Sequence, residues 1–157
     1  MLFCGINPGL YTAAIGHHFG RPGNRFWKVL HLAGFTPRVL SPFEERELLT
    51  HGCGVTNLVN YATARADELG DEDLRRGAVR LARTVRRWRP RAVAVLGMGA
   101  YRTAFGAGRA LVGPQEIKIG NAAVWVLPNT SGLQASYQLA DLVTLFAGLR
   151  LAVGVRR

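Results

Sequence analysis

At 157 residues and 17.1 kDa the chain can bury one core and is too short for two ordinary domains, so a single domain over residues 1–157 is expected. A composition that is 48% hydrophobic and 19% charged excludes a disordered polymer, and no apolar run approaches the ~20 residues that cross a bilayer. Twenty Lys and Arg against ten Asp and Glu leave a net charge of +10, from which a polyanionic partner, nucleic acid first, is the natural inference.

The chain opens on an apolar, β-leaning segment, Leu2 to Cys4, which runs into GINPGLYTAAIGHHFGRPGN. A buried strand that leaves through so many Gly, Pro and Asn residues predicts a shaped loop, and Asn24 at its end is placed to cap a helix over Asn24 to Ala33. A second helix is expected over Pro42 to Thr50, then a strand over Gly54 to Val59 followed by the polar loop NYATARADELG. The clearest helix runs from Asp71 to Trp88, with Leu74, Ala78, Leu81, Val85 and Trp88 on one face and Pro90 beyond its end. A third strand, Ala92 to Leu96, precedes GMGAYRTAFG, which lacks G-x-G-x-x-G spacing and reads as a strand-to-helix turn into a helix over Ala100 to Phe105. The fourth strand, Ala123 to Leu127, leads through PNTSGLQAS to a last helix over Leu139 to Leu151.

Strands alternating with helices predict a parallel sheet covered on both faces. In such a fold the loops after the first, second and fourth strands meet on one rim, where ligands bind. Cys4 and Cys53 lie in apolar, strand-like contexts without a second Cys or His at ligand spacing, so buried thiols in a reducing compartment are expected, with no metal site and no cofactor. His17 and His18 are adjacent; consecutive side chains diverge, and they are expected at the rim rather than on a metal.

Four segments carry a family resemblance: GINPGL at Gly5–Leu10, PGNRFWKVLHLAGF at Pro22–Phe35, CGVTNLV at Cys53–Val59 and WVLPNTSGL at Trp125–Leu133. Together they make the chain resemble the mismatch-specific uracil-DNA and thymine-DNA glycosylase family, its bacterial branch most closely. The resemblance implies a three-layer α/β/α sandwich with a central four-stranded parallel sheet. It further implies a DNA glycosylase that flips out uracil, with ethenocytosine or other C5-substituted pyrimidines and, weakly, thymine, from mispairs with guanine in double-stranded DNA and leaves an abasic site. Neither Lys28 nor Lys118 falls in a catalytic loop, so a monofunctional enzyme is expected. A cytoplasmic monomer is expected.

By place in the motifs, Asn7 matches the family residue that positions the attacking water. Phe19 matches the ring that stacks on the flipped base, with Ile6 and Phe19 offering backbone donors to the uracil carbonyls. The uracil-restricted relatives carry a Tyr that blocks the thymine methyl where this chain has Gly9. Leu133 matches the wedge that fills the gap in the duplex, with Gly132 and Gln134 near the orphaned guanine and Asn129 and Ser131 shaping the turn or reaching sugar and phosphate. Close relatives often have Arg where Ala135 stands. An amide takes no proton at neutral pH, and Asp67 and Glu68 are the acidic residues of the second loop; Asp67 is a further catalytic candidate beside the alternative of a surface turn residue. Two other classes stay open: a catalytically silent damage-binding module that keeps the fold, and an enzyme acting on free nucleosides.

Overall fold

In the computed structural model, which describes residues 1–155, the four apolar segments form β1 (Leu2–Gly5), β2 (Gly54–Asn57), β3 (Ala92–Leu96) and β5 (Ala122–Leu127). These pair in parallel in the order β2-β1-β3-β5, with Leu2 opposite both Gly54 and Val93 and Ala94 opposite Trp125. All five residues of β3 are buried, as a central strand covered on both faces must be.

The sheet has five strands rather than the four expected. The added strand, β4 (Gly113–Ile119), pairs antiparallel with β5 at the edge. Its sequence, GPQEIKI, has Pro114, Gln115, Glu116 and Lys118 among seven residues, and charge and proline are what an edge strand carries to discourage further pairing. Its turn, Gly120–Asn121, places Gly120 at φ +57° and is a legible hairpin signal.

Two helices cover each face. On one, α3 (Asp71–Trp88) and α4 (Met98–Ala104) pack on Leu2, Cys4, Val93, Val95 and Val124. On the other, α2 (Phe26–Leu32) and α5 (Leu139–Val153) enclose Phe3, Ala94, Leu96 and Leu127. Alternation along each strand sends successive side chains to opposite layers. Phe3 anchors the second layer, with its ring 5.5 Å from Phe26, 5.3 Å from Phe35 and 5.9 Å from Phe146.

Two connections differ from expectation. Pro42–His51 is a 3₁₀ segment, begun by Ser41, whose backbone N–H donates to Glu44 Oε2 at 2.8 Å. The first loop contains a six-residue helix, α1 (Leu10–Ile15), which the Gly-rich surroundings concealed. No helix among the described residues is long and apolar enough to cross a membrane.

Candidate active site

The three loops predicted to converge enclose a cavity of about 630 Å³ at the C-terminal ends of the strands. Its wall takes Gly5, Ile6, Asn7, Pro8, Gly9, Phe19 and Asn24 from the first loop, Ala64 to Asp67 from the second, and Asn129, Ser131, Leu133 and Gln134 from the last. Of the predicted site residues only Gly132 is absent from the lining, and it belongs to the same turn.

Asn7 is fixed by the second loop. Its Nδ2 donates to the Tyr61 carbonyl at 3.1 Å and to Thr63 Oγ1 at 2.9 Å. Thr63 in turn donates to the Arg65 carbonyl at 2.6 Å, and a bridge joins Gly9 to Thr63. Both amide hydrogens are thereby engaged, which leaves Oδ1 as the acceptor Asn7 can offer a ligand or water.

Phe19 stacks on Phe26 with centroids 3.9 Å apart. Its φ of +52° is the left-handed region, a conformation that costs a non-glycine residue roughly 1–2 kcal/mol. The strain is held from both sides. Gly20 N–H donates to Thr12 Oγ1 at 3.1 Å, and His18 N–H donates to Glu45 Oε2 at 2.8 Å. Glu45 also lies 3.4 Å from His17 Nδ1 and 3.1 Å from His18 Nδ1. Partial burial pushes the Glu45 carboxyl up, but the hydrogen bonds from the His18 backbone and ring outweigh it and hold the group below its ordinary value. The histidines thus brace the Phe19 turn through Glu45. Among the described residues no group of three or more His, Cys, Asp or Glu could hold a metal ion.

Gly5 explains how Phe19 comes so close to the strand end. A Cβ at Gly5 would stand 2.5 Å from Asn57 Oδ1 and 3.1 Å from the Phe19 ring. Only glycine lets both reach the cavity. Asn57, the last residue of β2, lines the cavity and its side chain makes no hydrogen bond among the described residues. Sequence reasoning missed it, because its place beside Gly5 and Phe19 arises only when β1 and β2 pair. The Ile6 and Phe19 backbone N–H groups likewise make no hydrogen bond among the described residues.

Gly9 meets nothing within 4 Å of a Cβ and has an ordinary φ of −72°, so the wall is open there. Asp67 lines the cavity but is 73% exposed and pairs with Arg65 Nε at 3.2 Å. Its carboxylate therefore faces water and a guanidinium rather than a dry pocket.

The last loop is built by its own side chains. Asn129 Oδ1 accepts from the Ser131 N–H at 2.9 Å, and Ser131 Oγ accepts from the Leu133 N–H at 3.2 Å. Leu133 is left 69% exposed at the tip. Behind it, Arg25 donates to the carbonyls of Thr130, Ser131, Gln134 and Tyr137 at 2.6–3.4 Å. Asn24 Oδ1 accepts from the Phe26 N–H at 3.0 Å and from Thr130 Oγ1 at 2.9 Å. The expected cap of α2 thus also docks the last loop. A Cβ at Gly132 would stand 2.8 Å from the Gly23 carbonyl, so the two loops touch backbone to backbone.

A family model described as the uracil DNA glycosylase superfamily matches residues 1–149. The match spans nearly the whole chain, and the chain belongs to that superfamily, a family of DNA glycosylases active in base-excision repair.

Proposed function

We propose that this superfamily member is a monofunctional glycosylase of the mismatch-specific bacterial branch, which excises uracil from G:U mispairs in duplex DNA and accepts some C5-substituted pyrimidines. The observation that carries the reading is Asn7, whose amide hydrogens are engaged by Tyr61 and Thr63 and whose Oδ1 is left to orient water in the cavity that also holds Phe19. In this scheme the flipped base stacks on Phe19, and Asn57 offers donor and acceptor to the pyrimidine's polar edge. The Ile6 and Phe19 N–H groups receive its carbonyls. The C1′–N1 bond breaks with its electron pair to the base, and the water held by Asn7 adds to C1′ and gives up a proton that passes through solvent to the departing pyrimidine anion, leaving free base and abasic sugar. An amide assists this water by orientation alone, so the rate depends on a stable pyrimidine anion as leaving group.

Leu133 would enter the duplex as the base leaves and offset part of the few kcal/mol of unstacking. Gln134 and Gly132 would face the orphaned guanine, with Asn129 and Ser131 setting the turn. Neither Lys28 nor Lys118 lines the cavity, so no amine stands ready for a Schiff base and strand cleavage. The protein is proposed to work as a cytoplasmic monomer.

Single-turnover assays with U, T, ethenocytosine and hydroxymethyluracil, each opposite G and A and in single strands, test the reading. Free base should be released fastest from G:U, with weaker release of 5-substituted uracils or ethenocytosine through the open wall at Gly9. Gly9→Tyr should narrow the range towards uracil. Binding without release of any base would identify a damage-binding module. Equal turnover of a free deoxyuridine compound would identify a nucleoside hydrolase.

A further inference from the structure

The arginines of α3 fall into two groups. Near its start Arg75 and Arg76 lie 3.5–3.9 Å from Asp71 or Glu72, and Arg80 turns inward to donate to the Leu58 carbonyl. From the helix's last turns onward Arg83, Arg86, Arg87, Arg89 and Arg91 are all exposed, and none has a carboxylate within ion-pair distance among the described residues. No Asp or Glu occurs in the sequence between Asp73 and Glu116. The negative end of the helix dipole offsets only a fraction of five neighbouring cations.

These arginines also frame recesses. Arg86 and Arg89 line a cavity of about 390 Å³ closed by the Gly120–Asn121 turn. Arg89 and Arg91 line an adjoining one of about 360 Å³, and Pro90 is shared by both. Beside them Trp88 is 70% exposed, with the Arg87 guanidinium 5.1 Å from its ring centroid. The cluster leads directly into Ala92, the first residue of β3, whereas Leu96, the last, lines the base cavity. The two sites therefore lie at opposite ends of the sheet, separated by most of α3, which at 18 residues is about 27 Å long. A duplex with its base in the cavity and Leu133 in its stack would engage the opposite end of the sheet from this face.

We propose that this face binds the phosphate backbone of a second DNA segment, so that the protein can hold two duplexes and pass directly from one to the other. The charge balance is the reason. A row of guanidiniums without carboxylates is complemented by phosphates, which take their planar N–H forks bidentately. The inference rests on the proposed reading of the protein as a DNA glycosylase.

The test loads the protein on a labelled duplex carrying an abasic site opposite G, then measures dissociation against rising concentrations of unlabelled duplex. Direct transfer makes the dissociation rate climb with competitor concentration. Arg83→Gln, Arg86→Gln, Arg87→Gln and Arg91→Gln combined should abolish that dependence while single-turnover excision at saturating enzyme and the melting temperature stay unchanged. A rate independent of competitor in the unaltered protein overturns the proposal, and so does a dependence that survives the four substitutions. Excision is read in the same preparations, so failure of the glycosylase reading would register separately, as absence of free base.

Discussion

Among the described residues Asn7 keeps one polar atom free after Tyr61 and Thr63 have taken its amide hydrogens, and that economy underlies the role proposed for it. Asn7→Ala should lower single-turnover excision by ~10²-fold or more, in the range of losing one catalytic group, with DNA binding intact. Asp67→Asn should be nearly silent, because this carboxylate is solvated and paired with Arg65 and gains little from the cavity. A larger loss for Asp67→Asn than for Asn7→Ala, measured under the same conditions, would reverse the assignment. Asn7, Phe19 and Leu133 were legible because each sits inside a dense local motif. Asn57 was not, since its place in the cavity comes from lying beside Gly5 and Phe19, which are distant in sequence and meet only when β1 and β2 pair.

The loop from Asn129 to Tyr137 is an element without a core of its own, and one guanidinium substitutes for it. Arg25 reaches four of its carbonyls, so a residue counted towards the cationic surface in the sequence is here a clasp for the Leu133 tip. Arg25→Ala should cut excision from duplex DNA by more than tenfold, the loss of several hydrogen bonds to a charged group at ~1.5–3 kcal/mol each being only partly recovered by water. Excision from single strands, which needs no wedge, should fall less. Arg25→Lys should not rescue the duplex activity, because an ammonium cannot serve four spread acceptors as a planar fork does. Equal losses on both substrates would mean that Arg25 acts through general stability. The elements themselves followed from the sequence wherever periodicity was long, as in α3. They did not where an edge strand was largely polar (β4) or where a helix of six residues inside a glycine-rich loop (α1) was too short to show a period.

Across the whole molecule the sheet divides the core into two layers, and each layer holds one thiol. Cys4 packs with the α3 and α4 side, Cys53 with the α2 and α5 side. Burial pushes both thiols up, Cys53 to about 11 and Cys4 further. Thiolate is the reactive form, so neither should be alkylated in the native protein at neutral pH. The same shifts give a pH dependence. The folded state favours the protonated thiols, so their contribution is complete below the unfolded pKa of about 8.5. As pH rises above that value the unfolded chain ionises first, and stability falls progressively through about 11. Denaturant titrations at pH 7, 9 and 10 should show the midpoint moving down, and replacing both cysteines by alanine should flatten the decline. Labelling adds a finer test. If both layers open in one cooperative step, Cys4 and Cys53 will be modified at the same rate at every denaturant concentration. Faster labelling of Cys53 alone would instead show that the layer made by α2 and α5, which carries the Phe19 support and the Arg25 clasp, opens on its own. The active site would then be the first part of the fold to come apart.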